Sequence, residues 1–335
     1  MRFLIAICLL KSHLPTPASL GQDSVPSIGK RLPQVSNNQP KRVGLACRLD
    51  KPAALQLARD VLKFLLSRNV GVALESRIAQ KLGQPSLALE LSKMTNPAVD
   101  LIVSIGGDGT ILRVAQSLVQ KNSAPLLGIN VGSVGFLDEA TVKTARKTLT
   151  KVMDGKYTLQ LAPRLHVSLD NKRLPDALNE AYLCSARASK ILKFSINVDH
   201  AFLADVFADG VLVSTSCGST AYSMSAGGAI VDPRVSNVMQ IVPVCPFARR
   251  SLRPIVIPGS SEVEISLLRS RLTATLVIDG QFECPVMPRK KLRIKRSKRP
   301  LKFVRVGPLH RNFYDRLRTI LLPPVENSRD LKGSF

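Results

Sequence analysis

One stretch constrains this chain more than any other. From Val99 to Arg113 it reads Val-Asp-Leu-Ile-Val-Ser-Ile-Gly-Gly-Asp-Gly-Thr-Ile-Leu-Arg. The apolar, β-branched run through Leu101, Ile102, Val103 and Ile105 has the composition of a buried parallel strand. It ends at Gly106, Gly107 and Gly109, which flank a single carboxylate, Asp108. An amphipathic segment from Ile111 to Val119 then predicts a helix. Strand, glycine turn and helix in that order bare backbone N–H groups and a helix N-terminus to an anion. The phosphate-loop spacing GxxxxGK[ST] is absent, and an acid stands where that loop carries Lys. A carboxylate beside bound phosphate is costly unless it holds Mg²⁺ or takes a proton from an attacking hydroxyl. The competing reading is an ordinary Asp-Gly turn between a strand and a helix.

The chain around this stretch alternates strands with helices. Val43 to Cys47 predicts a strand, Ala54 through Leu65 a helix, Val70 to Leu74 a second strand, and Ile78 to Met94 a less regular segment. Pro125 to Asn130 is another strand, leading into a glycine-bearing loop, Val131 to Leu137, and then a helix capped by Thr141 and lasting to Met153. Such βαβ units imply a parallel sheet with ligands at the carboxyl ends of its strands. Past Gly155 helical periodicity nearly vanishes, and short β-rich runs separated by turns such as Asp170-Asn171, Asp199-His200 and Asp279-Gly280 take over. The expected organisation is an α/β nucleotide-binding domain over 41–155, then a mostly β, sandwich-like domain over 156–305. A C-terminal segment over 306–335 is expected to pack back on the first domain through a short helix, Arg311 to Leu322, with a loose tail. Residues 1–40 are proline-punctuated and acid-poor, and read as a disordered or targeting-like extension.

Composition narrows the function classes. The net charge of +24 suits nucleic acid, a membrane surface or small polyanions such as nucleotides. Ten Lys or Arg fall between Arg289 and Arg305, alternating with apolar residues. That pattern predicts edge strands with a solvated basic face, and no nucleic-acid module accompanies it. Six cysteines are scattered without a CxxC pair and His numbers only four, so no metal-ligating set is expected. Unclustered thiols suit a reducing, cytoplasmic setting. No apolar run is long enough to span a membrane.

A second informative stretch lies in the β-rich part. It reads Ala208-Asp209-Gly210-Val-Leu-Val-Ser-Thr215-Ser-Cys-Gly218-Ser219-Thr220-Ala221-Tyr222-Ser223-Met-Ser225-Ala-Gly227-Gly228. Its hydroxyls can bond ribose or phosphate oxygens or cap a helix, and Tyr222 can lie against a ring. GGDGT at 106–110, Asn179-Glu180 and DGxxVSTxxGSTAYSxSAGG at 209–228, in this order, resemble the NAD kinase family. The resemblance covers about residues 42–320 and extends to 128–137, Arg253 to Pro258, Asp279-Gly280-Gln281 and Phe313 to Arg318.

The resemblance implies a two-domain fold with NAD bound between the domains, and phosphorylation of the adenosine 2′-hydroxyl of NAD⁺ from ATP or polyphosphate with Mg²⁺. Asp108 is then the proton acceptor, with Gly109 beside it. Arg113 and Lys190 match basic positions near the ligand, and Asn179 and Glu180 hold the riboses and adenine. Asp209 takes the nicotinamide end, and Thr220, Ala221, Tyr222, Ser223 and Ser225 line the adenine and ribose pocket. Cys245 and Gln281 are expected near the same ligand. Family members form homodimers or homotetramers. Departures occur at Ser216-Cys217 before the GSTAY turn, at Asp232, in the segment Pro246 to Pro254, and at Phe207. They leave loop geometry and the preference for NAD or NADH open. The alternatives are a lipid kinase of the diacylglycerol or sphingosine type sharing the GGDGT turn, and a basic nucleic-acid binder built on 289–305.

Overall fold

A computed structural model describes residues 34–36, 39–118, 123–133, 135–187, 190–247, 252–268, 272–307 and 309–321. Most of the N-terminal extension and the tail after 321 lie outside the described residues. Within the extension, Gln34–Ser36 forms an antiparallel strand on Tyr157 to Leu159, so the fold begins earlier than its composition suggests.

The first sheet carries a parallel core in the spatial order Ala88–Leu89, Gly71–Glu75, Arg42–Cys47, Leu101–Gly106, Leu126–Asn130. The chain steps outward from Arg42–Cys47 in one direction, returns, and continues from Leu101–Gly106 in the other. The crevice at the carboxyl ends of those two strands is therefore the topological switch point, where open α/β sheets bind ligands. The central strand is buried at every position. Helix Pro52–Ser67 starts with Pro in its first turn and buries Ala54, Ala58, Val61, Leu62 and Leu65 on one side of the sheet. The Val and Leu side chains among these each contribute about 1.5–3 kcal/mol on full burial. Helix Asp108–Ser117 covers the other side, with Ile111, Val114 and Ala115 against Ile102 and Leu126. The later helix spans Ala145–Met153. Thr141 does not cap it: the Thr141 N–H bonds the hydroxyl of Thr144, which is the residue before the helix.

Two six-stranded antiparallel sheets follow. One runs Lys172–Arg173, Leu165–Leu169, Lys291–Arg296, Glu262–Leu267, Leu192–Val198, Ala201–Ala208. The other runs Ile255–Pro258, Val238–Val244, Gly210–Thr215, Glu180–Ser185, Ala274–Ile278, Phe282–Val286. Their inner faces share one core in which Val167, Phe194, Ile265 and Ile294 meet Leu183, Val211, Ile241 and Leu276. This is the sandwich-like half of the molecule. Strands Tyr157–Ala162 and Leu301–Arg305 belong to the first sheet, pairing with each other, and Leu301–Arg305 also pairs with Leu126–Asn130.

The basic stretch is a correction. Lys291–Arg296 and Leu301–Arg305 are interior strands, not edges. In Lys291–Arg296, Leu292 and Ile294 face the core while the cations face outward onto carboxylates of the neighbouring strand. Lys291 and Arg293 each lie 3.0 Å from Glu264, and Lys295 lies 3.1 Å from Glu262. Alternating charge marks a solvated face equally well on an interior strand, and the paired acids come from a segment about thirty positions earlier, which alternation alone does not reveal. Among the described residues no helix is long and apolar enough to cross a membrane.

Candidate active site

Asp108 opens its helix just after the central strand, with Gly107 as the capping residue. Its carboxylate is oriented by backbone: the N–H of Phe136 donates to Oδ2 at 2.9 Å and the N–H of Leu137 to Oδ1 at 3.2 Å. The loop that supplies these donors is itself pinned. Asn130 donates to the Ser133 carbonyl and to Asp138, and accepts the Gly132 N–H. Glycine is required at 135 because a Cβ there would collide with the Asp108 carboxylate, its Cγ lying only 2.6 Å away. Asp138 is buried beside this arrangement. Burial, and next the Asp108 charge, push its carboxyl up to about 7 against the Asn130 hydrogen bond.

The opposite side of the crevice is built by the antiparallel sheet. Glu180 begins the strand Glu180–Ser185 and Asn179 immediately precedes it; both are buried. Asp279, in the tight turn after Ala274–Ile278, receives the N–H groups of Leu178, Asn179 and Glu180 at 2.6, 2.8 and 3.0 Å. One carboxylate thus fixes three consecutive peptide groups a hundred positions away. Burial raises the Asp279 carboxyl against those three donors. Burial, and then the Asp279 charge, push Glu180 up to about 8. Asn179 Oδ1 and Glu180 Oε2 are buried with no hydrogen-bond partner, so the cradle holds acceptor capacity that only a ligand or solvent can satisfy.

The GSTAYS turn is fastened to the same dipeptide. The Thr215 hydroxyl donates to the Leu178 carbonyl at 2.6 Å and accepts the Gly218 N–H at 3.0 Å. A Cβ on Gly218 would enter the Asn179 backbone, with Asn179 Cα 2.7 Å away, so only glycine lets the turn lie against that dipeptide. Ser219 closes the turn by donating to the Ser216 carbonyl and accepting the Val231 N–H. Tyr222 packs edge-on to Tyr182 at 5.1 Å between centroids.

Between these two walls lies a cleft of about 550 Å³. Asp108, Phe136 and Leu137 line one side, Asn179, Glu180, Tyr182 and Asp279 another, and Cys217, Thr220, Ala221 and Tyr222 the rim. The acid of the first glycine turn and the hydroxyl-rich turn therefore share one cavity.

Other expected residues sit elsewhere. Arg113 turns away from the cleft and grips Glu75 through Nη1 and Nη2 at 2.6 and 2.8 Å. Burial pushes the Glu75 carboxyl up, but Arg113 and Arg77 together hold it below its ordinary value. Ser223 is fully buried beneath the turn, and Ser225 is exposed beyond it. Lys190 and Gln281 are exposed and, like Gly109 and Cys245, do not line the cleft. Asp209 lies half-buried at the start of the strand under Tyr182, outside that lining. Sequence reasoning missed Asp279, Tyr182 and the Phe136 and Leu137 N–H groups. Asp279-Gly280 reads in the sequence as turn chemistry and as part of the family resemblance, without a site role for Asp279; both residues have positive φ, 52° and 62°. Among the described residues no group of three or more His, Cys, Asp or Glu converges on a metal position.

Comparisons with known proteins identify the family. The family model of the ATP-NAD kinase N-terminal domain matches residues 43–157, and that of the ATP-NAD kinase C-terminal domain matches residues 178–306. An NAD kinase of Methanothermobacter thermautotrophicus is 40% identical over 281 residues, 84% of this chain and 96% of that protein. One from Methanosarcina mazei is 38% identical over 278 residues, 83% of this chain and 93% of its own. Among solved structures, yeast NADH kinase complexed with NADH is similar with a TM-score of 0.75 and 25% identity, over 89% of this chain and 90% of that one. An NAD kinase from Archaeoglobus fulgidus in complex with ATP gives 0.67 and 28%, over 83% and 99%. With both family domains matched and relatives covered almost end to end, the chain belongs to the ATP-NAD kinase family.

Proposed function

We propose that this chain transfers the γ-phosphoryl group of ATP to the 2′-hydroxyl of the adenosine ribose of NAD⁺, giving NADP⁺ and ADP. The observation that carries the reading is Asp108 facing the Asn179–Glu180 cradle across a single cleft. A ribose hydroxyl is a poor nucleophile at neutral pH, and a positioned carboxylate base contributes about 10²–10⁴-fold. Asp108 accepts the hydroxyl proton as the new O–P bond forms, and the bond from γ-phosphorus to the bridging oxygen breaks, with its electron pair leaving on ADP. The two N–H groups on Asp108 fix which lone pairs remain for that proton. The N-terminus of helix Asp108–Ser117 and the glycines before it offer N–H groups to phosphate oxygens.

Mg²⁺ belongs to this reading as part of the substrate, carried by the triphosphate and offsetting its charge. A carboxylate with lone pairs to spare, such as Asp108, fits an ion that keeps most of its water and phosphate ligands. Asn179, Glu180, Thr220, Ala221 and Tyr222 are the dinucleotide contacts in this reading, with Asp209 toward the nicotinamide. Assembly into homodimers or homotetramers, and a cytoplasmic site supported by free thiols at Cys47, Cys184, Cys217, Cys245 and Cys284, complete it.

The lipid-kinase alternative leaves the unpartnered Asn179 and Glu180 oxygens unexplained, and a nucleic-acid groove at 291–296 meets cations already engaged by Glu262 and Glu264. The test is NADP⁺ formation from NAD⁺, Mg²⁺ and either ATP or polyphosphate. Asp108→Asn should keep NAD affinity within a few-fold and lose most turnover; undiminished turnover removes Asp108 as the base.

A further inference from the structure

We infer that Arg316, on the C-terminal helix Leu309–Leu321, is a positioning residue that aligns Asp108 through the peptide unit joining Phe136 to Leu137. The inference rests on the reading of Asp108 as the base. That peptide unit is used at both ends: its carbonyl, on Phe136, accepts Arg316 Nη1 at 2.9 Å, and its N–H, on Leu137, donates to Asp108 Oδ1 at 3.2 Å. A guanidinium and a carboxylate thus polarise one amide between them, and hydrogen bonds linked in this way strengthen one another.

The rest of the helix holds Arg316 in place. Phe313 is buried, with its ring centroid 6.3 Å from that of Phe136. The Tyr314 hydroxyl donates to Asp232 Oδ2 at 2.9 Å, on the segment that follows the GSTAYS turn. The helix therefore fastens the Asp108 loop on one side and the hydroxyl-rich wall on the other. Arg305 does parallel work from a fixed strand, donating through Nη1 to the Leu137 carbonyl at 3.0 Å. Arg316 makes its hydrogen bond to the loop from an element beyond the two matched domains, which end at residue 306.

The experiment compares Arg316→Ala, Arg316→Gln and Arg316→Lys with the parent, alone and in an Asp108→Asn background. NADP⁺ formation, NAD binding by calorimetry without donor, and amide hydrogen exchange over 131–138 are measured. Arg316→Ala should lower kcat by about 10–100-fold, the penalty expected of a slightly misplaced base, with the NAD Kd within threefold and faster exchange at Leu137. Arg316→Lys, which keeps charge and reach, should recover much of the loss and remains informative should the Ala variant fail to fold. In the Asp108→Asn background the Arg316 change should add almost nothing, since residues acting as a unit are not additive. Arg318→Ala, at a side chain 73% exposed, should leave turnover unchanged. Parent-like turnover and exchange in Arg316→Ala, or an equal further loss without Asp108, overturns the inference. A parent that makes no NADP⁺ overturns the enzymatic reading instead, and the exchange measurement still decides whether Arg316 holds the loop.

Discussion

Replacing Gly135 by Ala tests the site where its geometry is tightest. A Cβ at this position would lie 2.6 Å from Asp108 Cγ and 2.9 Å from its Oδ2. Non-bonded carbons rest at about 3.5–4.0 Å, so the carboxylate or the loop must retreat by about 1 Å. Gly135 has no positive φ, so the penalty is steric and local. The hydrogen bonds from Phe136 and Leu137, at 2.9 and 3.2 Å, cannot both survive that displacement. A misplacement of about 1 Å at a reacting group costs about 10²-fold in rate, or roughly 2.7 kcal/mol of transition-state stabilisation. The Asn179–Glu180 cradle hangs from Asp279 on a different sheet and does not feel the change. Gly135→Ala should therefore lower kcat about a hundredfold while calorimetry finds NAD affinity within threefold of the parent. Turnover within threefold of the parent refutes the steric argument; a loss of NAD affinity as large as the loss of turnover refutes the division of labour between the two walls.

The buried acids make stability depend on pH. Glu180, raised to about 8, binds its proton more tightly in the fold than in the unfolded chain, so its contribution is full below its ordinary value and is lost as pH rises toward 8. The ligand-free Glu180→Gln variant should melt near the parent at pH 5 and clearly above it at pH 8.5; parallel melting curves across that window count against the assignment. Arg164, fully enclosed at the crossing from the first sheet to the sandwich, donates to the Leu118 carbonyl at 3.0 Å and the Asp176 carbonyl at 2.9 Å. Arg164→Met strands both carbonyls and should cost about 2–5 kcal/mol in a urea melt; a loss below about 1 kcal/mol shows that they find other partners.

Much of this architecture is legible in the chain because its signals are local. The β-branched apolar run at 101–105, broken only by Ser104, reads as an enclosed strand, and the glycines around Asp108 read as a turn. The change of period after Gly155 announces the two antiparallel sheets, but the expected boundary there is not where the sheets divide: strands Tyr157–Ala162 and Leu301–Arg305 both join the first sheet. What escaped reading is what depends on distant partners. Arg113 matches a ligand position by spacing, yet Glu75 lies within its reach and captures it, a contact thirty-eight positions apart that no periodicity encodes. Ser223 belongs to a hydroxyl-rich motif expected to line the pocket but turns inward, where the short helix it sits on presses it against Gly228. Asp279 reads as turn chemistry from its neighbours alone, and its grip on Leu178, Asn179 and Glu180 arises only when the strands Glu180–Ser185 and Ala274–Ile278 pair.

That grip also explains why the cradle tolerates acids where apolar residues would be more stable. Three backbone donors offset the burial of Asp279, but Glu180 Oε2 and Asn179 Oδ1 are left without partners. An unsatisfied buried polar group costs about 1–3 kcal/mol, and in the proposed function a dinucleotide with ribose hydroxyls and ring nitrogens supplies partners that relieve this cost. Because Thr215 and Gly218 fasten the hydroxyl-rich turn to the same dipeptide, the relief is felt at the rim as well as at the floor. Asp108 stands on the other wall, anchored by Phe136 and Leu137 in the loop that follows strand Leu126–Asn130. In the proposed function, binding and proton transfer thus fall to different walls of the cleft, and substitutions are expected to weaken one without the other.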